Sequence, residues 1–312
     1  MRRACLALLL LAAGGCELLR PPTDIDAEPR LQLHSVLRAG SDTVAVLIER
    51  VGAEAGIVRR APVSGARVSI AGGGVEAALR EAPQGFPSCA LRFDAGELAT
   101  PPIGAGCYAA ILPGGVRPGE SYSLAVELPD GGSITGRTVV PERPTAVQPA
   151  ESARVPVQSN AGVGMSGVSH PVTVRWRAPT GGSRVRLVPT PGAVFARGGA
   201  IAGAGCQLWP TGSGETYLDG GQSAPLGDSL RFSVQLYCAE PAGTGGGRLV
   251  PDSVEVRLDL VAVDSAYARF AETWGDDAVR EARASAGVTG AFGVFAGHSL
   301  TRRRIVLVFS PP

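Results

Sequence analysis

VRPGESYSLAVELPDGGSITGRTVVP, residues 116–141, is the stretch that decides the fold, because it spells out two strands and the turn between them. Tyr122, Leu124 and Val126 alternate with Ser123, Ala125 and Glu127, the period-two pattern of a strand with one apolar face and one wet face. Pro129-Asp130-Gly131-Gly132 supplies hairpin turn chemistry, and Ile134 to Val140 returns as the partner strand. Just ahead, Pro118-Gly119-Glu120-Ser121-Tyr122 has the form of a tyrosine corner, in which a phenol bonds to nearby backbone and fixes a loop. Tyr122 is therefore expected to be structural rather than a ligand contact.

The same grammar extends in both directions. Upstream, LQLHSVL (31–37) and TVAVLIERV (43–51) flank the turn Ala39-Gly40-Ser41-Asp42, and PVSGARVSI (62–70) ends at Gly72-Gly73-Gly74. Downstream, VTVRWRAP (172–179), SRVRLVP (183–189), SLRFSVQLYC (229–238), SVEVRLDLVAV (253–263) and RIVLVF (304–309) all read as strands. In the fourth of these, Val254, Val256, Leu258 and Leu260 face one way, and Glu255, Arg257 and Asp259 the other. One helical interruption follows: Tyr267, Phe270, Ala271 and Trp274 fall at helical spacing behind the capping residues Asp264 and Ser265. Gly275 breaks the stripe, and Asp276-Asp277 is placed to start a second short helix through Ala286.

With 43 glycines, 25 prolines and 45% hydrophobic residues, the composition suits a folded, turn-rich β protein and not a disordered one. Length suggests two domains, and Pro141, Pro144 and Pro149 mark a join between them. The expected fold is mostly β, with two β-sandwich-like domains, the second carrying a short helical insertion before its last strand. The boundaries read as a sandwich over 29–143, a linker at 144–153, and a β-rich domain over 154–312 with short helices near 264–286.

The first residues, MRRACLALLLLAAGGC, are a different kind of message. Arg2 and Arg3 precede an apolar run too short to span a membrane, and Ala13-Gly14-Gly15-Cys16 forms a small-residue cleavage site ending in cysteine. This predicts a lipoprotein signal peptide over 1–15, lipid (palmitate-type acylation) on Cys16, and a proline-containing tether over 16–28. Several acyl chains anchor far more firmly than one. Glu17 after the cysteine, where aspartate would retain the protein in the inner membrane, favours the outer membrane. The expected location is thus the cell envelope, lipid-anchored to the outer membrane on its periplasmic or surface face.

Without its signal the chain has 297 residues and a net charge of −1 in place of +1. Such a chain has no broad electrostatic reason to bind nucleic acid, and Arg302-Arg303-Arg304 reads as a solvated strand start. Four cysteines remain after Cys5 and Cys16. Export favours disulfides over metal, and proximity favours Cys89–Cys107 and Cys206–Cys238 among the three possible pairings. Each would contribute roughly 3 to 4 kcal/mol in the chain-entropy model. No metal or cofactor motif is present.

The search for catalysis is negative at the level of motifs. There is no zinc-protease, nucleophile-elbow, phosphate-loop or calcium-loop pattern. His34, His170 and His298 lie far apart in sequence, so a hydrolase would need at least two of them to meet beside a carboxylate. GVTGAFGVFAG (287–297) leads into a strand instead of opening a helix, which reads as a packing turn and not a phosphate cradle.

Taken together, these phrases resemble a bacterial lipoprotein family listed as domain of unknown function 4249. The likeness rests on Cys16, PVSGARVSI, Gly106 with Tyr108, the 118–122 loop, Asp130-Gly131, the closing Thr138 to Pro141, and the 258–270 and 290–296 phrases. Thr289 stands near a position where the family has asparagine, and the extra cysteines and glycine-rich insertions also depart from its pattern. The resemblance implies a transthyretin-like or fibronectin-like first module and association with TonB-dependent outer-membrane receptors. The function expected is a noncatalytic accessory or ligand-capturing partner of an outer-membrane transporter; alternatives are an envelope assembly module and, third, a hydrolase. A pocket lined by Trp176, Trp209 or Trp274 would favour capture of a small ligand, and a flat apolar patch would favour assembly.

Overall fold

In the computed structural model the residues of the 121–139 phrase pair as a hairpin, Ser121 opposite Val139 through Glu127 opposite Ser133. The structure describes residues 27–54, 57–81, 105–158, 170–182, 184–196, 199–200, 205–211, 215–216, 222–225, 229–239, 252–273 and 285–310. The expected signal, Cys16 and the tether up to residue 26 lie outside them, and the last two positions expected in the tether, 27 and 28, begin a strand instead. The chain is mostly β.

The first half contributes β1 (Ala27–Arg38), β2 (Thr43–Glu54), β3 (Ile57–Pro62), β4 (Arg67–Gly72), β5 (Val75–Glu81), β6 (Cys107–Ile111), β7 (Ser121–Glu127) and β8 (Ser133–Val139). The second half adds β9 (Thr145–Gln148), β10 (Ala153–Gln158), β11 (His170–Arg177), β12 (Arg184–Ala196), β13 (Gly199–Ala200) and β14 (Gly205–Thr211). It continues with β15 (Glu215–Thr216), β16 (Gln222–Pro225), β17 (Ser229–Ala239) and β18 (Ser253–Val263). A helix, Ser265–Thr273, follows, and then β19 (Ser285–Ala286), β20 (Val288–Thr289) and the 19-residue β21 (Phe292–Ser310).

Hydrogen-bonded neighbours in the first half run β21–β1–β2–β6–β5–β4–β7–β8–β20, a sheet that folds over its own apolar face. The enclosed core takes Leu33 and Leu37 from β1, Val46 and Ile48 from β2, Ile70 from β4, and Leu124 from β7. Tyr122 and Tyr108 close its ends. The Tyr122 hydroxyl accepts a hydrogen bond from the Arg117 amide at 2.8 Å, the bond a tyrosine corner requires. The Tyr108 hydroxyl accepts from the Ala66 amide at 3.0 Å and donates to the Val63 carbonyl at 2.7 Å, pinning the loop before β4.

The second sandwich sets the β10–β21–β18–β12 sheet against the sheet β14–β17–β11–β9. Val254, Val256, Leu258 and Leu260 are all buried here, as their alternation predicts, and they pack with Trp176 of β11 and with Ile305 and Leu307 of β21. Two features differ from the expected layout. The segment expected as a linker, 144–153, contributes β9 to the second sandwich, with Val147 in its core. The chain's last described strand also belongs to both halves. Residues 292–298 of β21 pair in parallel with β1, while 298–308 pair antiparallel with β18. Phe295 is fully buried in the first core and Ile305 in the second.

Gly293 makes the first of these joins possible. It sits at φ +105°, and a Cβ placed there would collide with the backbone of Leu33 on β1. On the other side of the strand, Gly136 of β8 leaves room for the ring of Phe295. The phrase GVTGAFGVFAG is therefore packing machinery.

The helix covers the outer face of the β21–β1 sheet. Phe270 and Ala266 pack with Val294 and Ala296, forming a small third core. Asp264 caps it as expected, accepting from the Tyr267 amide at 2.7 Å. Its other oxygen accepts from the Thr138 hydroxyl and from the Gly297 amide, so one carboxylate ties the helix to β8 and β21. Burial is the largest influence on Asp264 and raises its pKa against these hydrogen bonds. Replacing Asp264 with alanine removes the cap and leaves a buried hydroxyl and amide without an acceptor, an expected loss of about 3 kcal/mol by urea denaturation. An unchanged midpoint would show that the cap is dispensable. The second short helix expected from Asp276 lies mostly outside the described residues, and its end, Ser285–Ala286, is a strand.

Candidate functional site

The residues singled out by sequence do not converge. His34 lies on the outer face of β1 under Phe270, with ring centroids 5.6 Å apart at a steep angle. Burial, helped by the Arg60 charge, lowers its pKa to about 4. His298, on β21 and opposite Arg38 in register, is also lowered to about 4, by burial first and then by Arg38 and Arg186. The charges that lower both rings are cations, an environment that keeps imidazole neutral. His170 is on β11 opposite Val234, in the other sandwich.

Trp176 is 3% exposed inside the second core, where its indole N–H has no hydrogen-bond partner. It lines no cleft. Trp209 lies on β14, and Trp274 falls outside the described residues. Among the described residues the large exposed hydrophobic is Ile111, so the flat apolar patch that would mark an assembly surface does not form there. Among the described residues no group of three or more His, Cys, Asp or Glu could hold a metal ion, and no helix is long and apolar enough to cross a membrane.

Cys107 is disulfide-bonded. Cys89, its expected partner, lies outside the described residues. Cys206 of β14 stands directly opposite Cys238 of β17 in register. Directly opposed residues on antiparallel strands have Cα atoms roughly 4.5 to 5.5 Å apart, within disulfide range. Peptide mapping without reduction is expected to recover a Cys206–Cys238 peptide; a Cys89–Cys206 cross-link would refute that pairing.

What the sequence search missed is a concavity of about 840 Å³ on the outer face of the β4–β7–β8 sheet. Its floor comes from the outward positions of the alternating strands. One cross-strand row is Ser69, Ala125, Thr135 and Thr289; the next is Glu76, Ala71, Ser123 and Arg137. Every floor residue is small except the two ends of the second row. One wall is the helix, which contributes Arg269, and the turn at Gly287 closes that end, held by the Arg137 amide donating to the Gly287 carbonyl at 2.9 Å. A third row, Arg67 with Glu127, borders the floor and is internally neutralised by an ion pair of 2.8 Å. Glu76, Arg137 and Arg269 have no such pairing among the described residues.

No family model matches this chain, and no curated protein does. Among solved structures it is similar to the Yersinia pseudotuberculosis adhesin InvE, with 17% sequence identity over 88% of this chain and a TM-score of 0.24. The chain spans 58% of that protein's length. The groove has its own chemistry: hydroxyls and backbone on the floor, a carboxylate at one end, guanidinium groups at the other, and neither histidine nor cysteine among the described residues of its lining.

Proposed function

We propose that this chain is a noncatalytic, exported lipoprotein, anchored to the outer membrane through Cys16, that captures a ligand for an outer-membrane transporter. The observation that carries the capture role is the groove. It is a preformed concavity of a size typical for small ligands, with convergent polar groups not committed to each other. The signal sequence supports export, and the disulfide-bonded state of Cys107 fits an oxidising compartment. A transporter partner of the TonB-dependent class is the partner implied by the family resemblance.

Two experiments test the proposal. Cells expressing Cys16→Ser are fractionated, and the variant is expected in the soluble periplasmic fraction; unchanged membrane association would remove the lipid from the account. For capture, small molecules extracted from the envelope are added to the purified full chain and to Ser123→Trp, in which an indole fills the groove floor. The extract is expected to raise the melting temperature of the first and not of the second. Equal response of the two proteins, or none, would overturn the capture role.

A further inference from the structure

Resting on the capture reading, the spacing of charge in the groove assigns the class of ligand. We infer that the groove holds a short extended peptide with free termini, about four residues long, its ammonium at Glu76 and its carboxylate at Arg137 and Arg269.

The argument begins with register. Glu76 pairs with Ala71, Ala71 with Ser123, and Ser123 with Arg137, so the carboxylate and the guanidinium are the two ends of one cross-strand row. They lie on β5 and β8, three inter-strand steps apart, which is about 14 Å at the spacing of neighbouring strands. An extended peptide advances roughly 3.3 to 3.6 Å per residue, so four residues cover the same span.

Between the ends, the floor is low enough for a chain to lie on it. Ala71 and Ser123 on the row, with Ser69 and Ala125 on the next, present only methyls and hydroxyls. Among the described residues no aromatic side chain lines the groove, which disfavours a ligand held by stacking, and the floor's polarity disfavours a lipid tail. Serine and threonine hydroxyls both donate and accept, matching the N–H and C=O groups of a peptide without demanding a particular side chain.

The ends are chemically distinct. Arg137 rises from the floor and Arg269 comes from the helix, so two planar guanidinium groups flank one end of the row. Guanidinium forks match a carboxylate in a way a point charge does not. The opposite end carries the carboxylate of Glu76, the one acidic group among the described lining residues, suited to an ammonium. The neighbouring Arg67–Glu127 pair shows the contrast: adjacent opposite charges on this sheet neutralise each other, while Glu76 and Arg137 are too far apart to do so. A single ligand with a cation and an anion about 14 Å apart completes both.

The test is calorimetric titration of the full chain with tetra-alanine, its N-acetyl form, its C-terminal amide, di-alanine, and trigalacturonate as an anionic sugar of similar length. Free tetra-alanine is expected to bind saturably, with either cap weakening it about fivefold or more and di-alanine weaker still. In Arg137→Gln/Arg269→Gln the free acid and the amide should become indistinguishable, while N-acetylation still weakens binding; in Glu76→Gln the pattern should reverse. All three positions are exposed, and circular dichroism checks that each variant folds. Equal binding of capped and free peptides overturns the inference, as does di-alanine binding as tightly as the tetramer or the absence of any peptide binding. Trigalacturonate binding that Ser123→Trp abolishes, with no peptide binding, overturns the peptide while leaving ligand capture standing.

Discussion

Gly293→Ala is expected to destabilise the protein by about 4 kcal/mol, near the upper end of what single substitutions do. Two costs combine. The residue sits at φ +105°, a conformation that L side chains rarely adopt, and the added Cβ has nowhere to go because it would meet the carbonyl, carbonyl carbon and amide nitrogen of Leu33. Leu33 is fully buried on β1, and Gly293 is its register partner, so relief requires β1 and β21 to part where the first core and the helix-covered core meet. Gly74→Ala separates the two costs: it has φ +79° with nothing within 4 Å of the new Cβ, so only the backbone penalty of about 1 kcal/mol applies. Urea midpoints with unchanged slopes measure both. Equal midpoint shifts in the two variants would show that β21 has slack at this crossing.

Acid is expected to cost the fold about 4 kcal/mol between pH 7 and pH 5 through His34 and His298 together. Each has a folded pKa of about 4 against an unfolded value of 6.5, because burial and nearby arginines oppose the imidazolium. Between those values the unfolded chain binds more protons, so stability rises with pH and is lost as pH falls from about 6.5 toward 4. Over two pH units this is about 2 kcal/mol per buried histidine. Asp264 and Glu49 act in the opposite sense: burial raises both carboxyl pKa values, so their contribution declines as pH rises above their unfolded values. The histidine effect is therefore measured as a difference. In a His34→Gln/His298→Gln chain the pH 7-to-5 loss should shrink by about 4 kcal/mol relative to the parent. An identical slope in both chains would mean that the rings are hydrated.

The parts of this architecture legible in the sequence were those whose signals are local. The 121–139 hairpin carries its alternation and its turn within a few residues, and Asp264 precedes the helical stripe it caps. The parallel joins of β21 to β1 and to β10 have no local mark, since partners such as Leu33 and Gly293 are separated by most of the chain. The groove was hidden for a different reason. Ser69, Ser123 and Thr135 are what any solvated strand face looks like, and only cross-strand register puts Glu76 and Arg137 on one line. The histidines show the converse: residues whose burial beside cations, which lowers their pKa values, no local pattern announces.

The long final strand also sets the order of events in the cell. Residues 285–310 emerge from the ribosome after every other described element, yet both cores require them. Nascent chains shorter than this lack Phe295 in one core and Ile305 and Leu307 in the other, and contacts of such long range form slowly. Neither core is complete until this strand has joined it.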